Sequence, residues 1–118
     1  MAENKPIEIR YYRPMDDDAF VFTAKIGVID KTSQAPVPFT ATEAYFHISE
    51  NERVKLELSL GNGLLWDDEL KAITVFIRNS QMRFVRTDSE MTYSLYVKWD
   101  NGLADTIREG TVTAVKVD

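Results

Sequence analysis

The chain has no cysteine, which excludes disulfide staples, thiolate nucleophiles and cysteine-ligated metals. That fits a reducing compartment, and equally a β domain robust enough to need no bridge. It has a single histidine, so a Ser-His-Asp arrangement has one residue to draw on. It also lacks an excess of positive charge. Fourteen Lys and Arg face nineteen Asp and Glu, for a formal charge of −5, opposite in sign to the basic footprint of a nucleic-acid binder. Long apolar runs are missing too: none approaches the ~20 residues of a membrane-spanning helix. Met1 to Pro6 shows no apolar h-region, so no signal peptide is expected. The 118 residues suit one domain that buries a core unaided, and its acidic balance favours solubility and assembly with basic or neutral proteins.

What the chain does have is alternation. In Met91-Thr92-Tyr93-Ser94-Leu95-Tyr96-Val97-Lys98-Trp99 the odd positions are large and apolar and the even ones mostly polar. A period of two is a strand with one dry face. Similar stretches run over Ile7–Arg13, Phe20–Ile26, Ala44–Ile48, Val54–Leu60 and Ile73–Ile77. Turn signals separate them: Pro14 with Asp16-Asp17-Asp18, the loop from Asp30 to Pro38, Glu50-Asn51-Glu52, Gly61-Asn62-Gly63, Asp67-Asp68-Glu69 and Asp100-Asn101-Gly102. Leu64–Trp66 reads as a short strand. Asn79 to Val85 breaks the period and reads as one helical turn. Leu103–Arg108 returns, Gly110 permits a bulge, and Thr111–Val117 closes the sheet. The spacing predicts an all-β fold, an immunoglobulin-like antiparallel β-sandwich over residues 19–118, preceded by an N-terminal arm and edge strand over residues 1–18.

The predicted core comprises Phe22, Phe46, Ile48, Leu56, Leu58, Ile73, Val75, Ile77, Tyr93, Leu95, Val97, Ile107 and Val112. Each large side chain buried contributes ~1.5–3 kcal/mol, so Leu95→Asp is expected to unfold the domain. Tyr93 stands two positions before inward-facing Leu95, the place of a tyrosine corner whose hydroxyl bonds nearby backbone.

Little in the sequence points to catalysis. His47 shares the polar parity of its strand with Tyr45 and Glu43, the pattern of a solvated or cross-strand-paired histidine. Neither acidic triplet has the spaced D-x-D-x-D-G pattern of a calcium loop. Gly61-Asn62-Gly63 is too short to cradle a phosphate and precedes a strand rather than a helix. No catalytic, cofactor-binding or metal-ligating residues are therefore assigned. Aromatic and apolar residues suited to an interface are Ile7, Ile9, Tyr11, Tyr12, Trp66 and Tyr96; taken singly, each also fits a cross-strand pair on a sheet surface.

From Pro36 onward the residues resemble a known family. The stretches are Pro38–Ile48, Leu64–Val75, Met91–Val97, Asn101-Gly102, Ile107 and Glu109–Thr113. Together they are similar to the immunoglobulin-like domain of upper baseplate and other tail-associated proteins of tailed bacteriophages. The resemblance covers about two-thirds of the chain and rests on turn and core patterns. It implies a non-enzymatic virion protein, assembled in the host cytoplasm, that docks onto a tail, baseplate or capsid. Its partners would be other virion proteins and copies of itself in a symmetric assembly, with no nucleic acid or membrane involved. Such baseplate proteins usually continue into a linker or helix, whereas this chain stops at Asp118 after its last strand, which implies a free-standing adaptor. The Ile7–Arg13 stretch would then add a strand to a partner's sheet. The alternative is a carbohydrate-binding module that uses Trp66 and surface tyrosines as a stacking platform for a host-surface glycan.

Overall fold

The structure, a computed structural model, describes residues 3–12, 19–30, 32–85 and 90–117. These form nine strands: β1 (Glu3–Asn4), β2 (Ile7–Tyr12), β3 (Phe20–Gly27), β4 (Ala41–Glu50), β5 (Arg53–Leu60), β6 (Gly63–Asp67), β7 (Ala72–Arg78), β8 (Met91–Trp99) and β9 (Ala104–Val117), with one 3₁₀ turn at Asn79–Met82. All nine belong to one continuous curled sheet, ordered β3-β7-β6-β5-β4-β8-β9, with β1 and β2 both lying along β9. The protein is an all-β single domain, as its alternation predicts.

The alternation governs burial strand by strand. On β8 every odd residue from Met91 to Trp99 is buried, and these meet Phe46 and Ile48 of β4, Leu58 of β5 and Ile73, Val75 and Ile77 of β7 in one apolar cluster. The Phe46 and Tyr93 rings stack with centroids 5.5 Å apart. The β4–β5 hairpin turns on Asn51 and Glu52, both left-handed (φ 51° and 68°), the two-residue geometry that matches strand twist.

Residues 7–12 form an edge strand, as expected, and one that is folded onto the domain. β2 runs parallel to β9 for its full length, from Ile7 opposite Val112 to Tyr12 opposite Val117, and buries Ile9 and Tyr11. Burying those two side chains is worth ~1.5–3 kcal/mol each. Several expectations need correction. The pairing is not wholly antiparallel: β1–β9, β2–β9 and the short β5–β6 contact are parallel. The bulge in β9 lies at Ile107, between the pairs Leu95–Arg108 and Tyr96–Thr106, and leaves Ile107 only half-buried.

Gly110 keeps its register opposite Tyr93 and serves a close approach instead. A Cβ there would strike the Lys5 carbonyl, its carbon 2.8 Å away. That same carbonyl accepts a 2.6 Å hydrogen bond from the Tyr93 hydroxyl. The expected backbone partner of Tyr93 exists, but 88 residues away in sequence rather than nearby. Phe22 is half-buried, while Met82 and Val85 of the connector are fully or almost fully buried. Pro14 and the Asp16–Asp18 triplet lie outside the described residues.

β3 at one end of the sheet path and β2, which lies off that path along β9, approach each other without pairing among the described residues. A clasp joins them at one end. Asn79, fully buried, accepts a 2.7 Å bond from the Tyr12 amide and donates a 3.0 Å bond to the Tyr12 carbonyl. Its own amide donates to the Ala19 carbonyl at 2.8 Å. At the far end no such clasp exists among the described residues, and the seam stays open.

Candidate functional site: an apolar cleft at the open seam

The open end of the seam is a cleft of about 560 Å³ between the end of β3 and the starts of β1 and β9. Local sequence builds each wall. The Asp100-Asn101-Gly102 turn closes the β8–β9 hairpin. Gly102 takes φ 86°, the Trp99 amide donates to the Leu103 carbonyl at 2.8 Å, and the Asn101 side chain accepts the Leu103 amide at 2.9 Å. The Asp100 amide bonds Thr40 (2.9 Å), pinning this hairpin to the loop before β4. On the other wall Asp30 organises its loop by accepting the Thr32 amide at 2.8 Å. Val28 is held by the Lys71 carbonyl on one side and by the Val37 amide on the other.

Ile26, Val28, Val37, Phe39, Trp99 and Ile107 make the floor apolar. Ile29 (51% exposed) and Leu103 (68% exposed) stand at the mouth. The rim carries three carboxylates, Glu3, Asp30 and Asp105. Glu3 is neutralised by Lys5 at 2.9 Å and Arg108 at 4.0 Å. Asp30 and Asp105 have no ion-pair partner among the described residues. An apolar trough with unpaired negative charge at its lip can hold an apolar group that carries a cation.

The residues singled out from sequence do not converge on this cleft. Ile9 and Tyr11 are core residues and offer no surface, and Ile7 is half-buried. Tyr12 is 44% exposed but lies at the clasped end. Trp66 is half-buried behind the cleft floor, its ring edge-on to Trp99 at 5.7 Å, with its indole N–H donating to Asp68 at 3.2 Å. Tyr96 is exposed on the outer face beside Tyr45, 6.3 Å between centroids. Tyr45 in turn stacks near His47 at 6.2 Å and donates its hydroxyl to Glu43. That bond to a carboxylate raises the phenol above its usual range. His47 is paired across the hairpin with Glu57 at 3.2 Å, as its parity suggested.

Sequence reading missed the cleft because its lining comes from segments that break alternation. Val28, Ile29, Val37 and Phe39 border or occupy a loop, and Leu103 follows a turn. Apolar residues inside polar connectors were the one signal available. A second polar cluster holds the base of the cleft's neighbour turn. The Asp68 carboxylate accepts from Lys71 (2.8 Å), Thr40 (2.7 Å) and Trp66 (3.2 Å), and these bonds, Lys71 foremost, lower it to about 2. No group of three or more His, Asp or Glu among the described residues is placed to hold a metal ion.

In comparisons with known proteins, no family model and no curated protein matches the chain.

Proposed function

We propose that this protein is a non-enzymatic docking domain, a small virion adaptor that seats on a tail, baseplate or capsid of a tailed phage among copies of itself and other virion proteins. The observation that carries the reading is the distribution of exposed apolar surface. Ile29 and Leu103 ring an apolar cleft, while Phe20 and Leu65 stand on the outer face of β3, β6 and β7. Arg78 lies 4.6 Å over the Phe20 ring, which tilts against Phe76 at 5.3 Å. Aromatic and arginine anchors of this kind are the residue types that dominate protein interfaces, and contiguous apolar patches mark contact sites. The phage context rests on our reading that the turn and core patterns between residues 36 and 113 resemble those of tail-associated domains.

We read the curl as an immunoglobulin-like sandwich, with β3, β7 and β6 packed on β2, β9, β8, β4 and β5. The parallel contact of Ser59-Leu60 with Gly63-Leu64 is its corner. A least dimension of 21 Å suits two layers about 10 Å apart with outer side chains, and Trp66 of one layer meets Trp99 of the other.

The test is mass spectrometry and electron microscopy of particles purified from cells expressing the chain with its neighbouring genes. The chain is expected in particles at a fixed stoichiometry. Its absence from particles, with no virion protein co-purifying, would sink the proposal. A glycan-binding reading draws on one observation, the exposed Tyr96 ring beside half-buried Tyr45 and His47 on the outer face. A glycan array with no signal that Tyr96→Ala removes would eliminate it.

A further inference from the structure

The cleft continues an unused strand edge. Among the described residues β3 pairs only with β7. The Val28 amide donates to the Lys71 carbonyl at 2.9 Å, extending the register in which Ile26 faces Ile73 and Ala24 faces Val75. Hydrogen-bonded and non-bonded pairs alternate along an antiparallel ladder. Ile26 and Ala24 therefore direct their backbone groups at β7, and Thr23, Lys25 and Gly27 aim theirs outward. All three are exposed, and no strand among the described residues pairs with them. This edge runs straight into the cleft, where Gly27 forms part of one wall and Glu3, Ala104 and Asp105 part of the other.

We infer that the seam is a strand-acceptor site. An extended segment of a partner protein pairs with the Thr23–Gly27 edge, drops alternate apolar side chains into the cleft and sets a lysine or arginine against Asp30 and Asp105. Strand addition takes its affinity from main-chain bonds and its selectivity from pockets for alternate side chains, and both parts are present here. Charge selects the occupant. Asp30 and Asp105, with no ion-pair partner among the described residues, call for a cation, and a second copy of this −5 chain would bring another acidic rim to the first while setting its own Lys25 near this one. Lys25 also guards the edge against promiscuous pairing. This inference rests on the reading of the domain as a docking module.

Two variants of the whole protein test it. Gly27→Pro removes the outward amide while leaving the β7 bonds intact, and a side chain at position 27 meets nothing within 4 Å, so folding is expected to persist. Asp105→Lys reverses charge at an exposed position. The probes are a fluorescent seven-residue peptide alternating valine and threonine between terminal lysines, and its twin with terminal glutamates, followed by anisotropy. The lysine-ended peptide should bind at least ten-fold tighter than its twin. Asp105→Lys should invert that preference, and Gly27→Pro should weaken both at least ten-fold. Binding of neither peptide, or equal binding by folded Gly27→Pro, overturns the inference. So does a dimer in analytical ultracentrifugation that Gly27→Pro abolishes, because the occupant would then be a second copy. Particle incorporation separates the two levels. If wild type and Gly27→Pro are both incorporated fully, the seam falls and the docking reading stands. If wild type itself is excluded from particles, the docking reading falls, whatever the peptides do.

Discussion

Replacing Asn79 by alanine should open the clasped end of the seam and cost the domain about 2–4 kcal/mol. The side chain makes two hydrogen bonds to one residue, 2.7 Å from the Tyr12 amide and 3.0 Å to the Tyr12 carbonyl. Each is worth ~0.5–1.5 kcal/mol net, and stranding one Tyr12 group where water cannot reach adds ~1–3 kcal/mol, for a sum of ~2–6 kcal/mol. Because Tyr12 is 44% exposed, water recovers part of that cost, which holds the sum near the lower half of the range. With a urea m-value of ~1–3 kcal/mol/M, a loss of about 3 kcal/mol lowers the unfolding midpoint by roughly 1–3 M. The local signature is sharper: the Tyr12 amide should exchange with solvent roughly 30-fold faster for every ~2 kcal/mol lost. Asn79→Asp keeps the acceptor and loses the donor, setting a carboxylate against the Tyr12 carbonyl. Burial raises the pKa of the introduced carboxyl. That variant should therefore be nearest to wild type below pH ~4 and lose stability as pH rises through the raised value. The reasoning is refuted if Asn79→Ala costs under ~0.5 kcal/mol and Tyr12 exchange is unchanged.

Glu52 sits at φ 68° in a two-residue turn, where a side chain costs ~1–2 kcal/mol and glycine does not. After the entropy that glycine adds to the unfolded chain, Glu52→Gly should raise stability by ~0.5–1 kcal/mol in urea titration, and a loss would disprove the turn assignment. Tyr93→Phe deletes the 2.6 Å bond to the Lys5 carbonyl and should cost ~1 kcal/mol. Since burial raises the Tyr93 phenol, the wild type should lose stability as pH climbs past ~10 toward the raised folded value, a slope that Tyr93→Phe should flatten. Asp68 is lowered to about 2 by the bonds from Lys71, Thr40 and Trp66. Its contribution is present in full above the unfolded value of ~4 and fades as pH falls through about 2. Carboxyl NMR titration should show this midpoint, and one near 4 would contradict the network.

The all-β class was legible because burial follows parity. Tyr93, Leu95 and Val97 read as inward from their spacing alone, and they are buried. The turns at Asn51-Glu52 and Asn101-Gly102 were equally legible, since their chemistry is local. The place of the first strand was not. Ile7–Tyr12 has the same alternation whichever strand it pairs with, and only the fold shows that it lies along β9 with Ile9 and Tyr11 buried. The bulge at Ile107 was hidden for a related reason: a glycine at 110 signals an irregularity without saying which kind. It marks the approach of the Lys5 carbonyl.

The amino-acid order determined which residues face inward and where the chain turns, because both depend on neighbours a few positions away. Tertiary structure alone decided that residue 79 grips residue 12, that residue 5 caps residue 93, and that among the described residues the seam is clasped at one end only. Those outcomes join positions 67 and 88 residues apart, and no local pattern encodes which distant edges a curling sheet brings together.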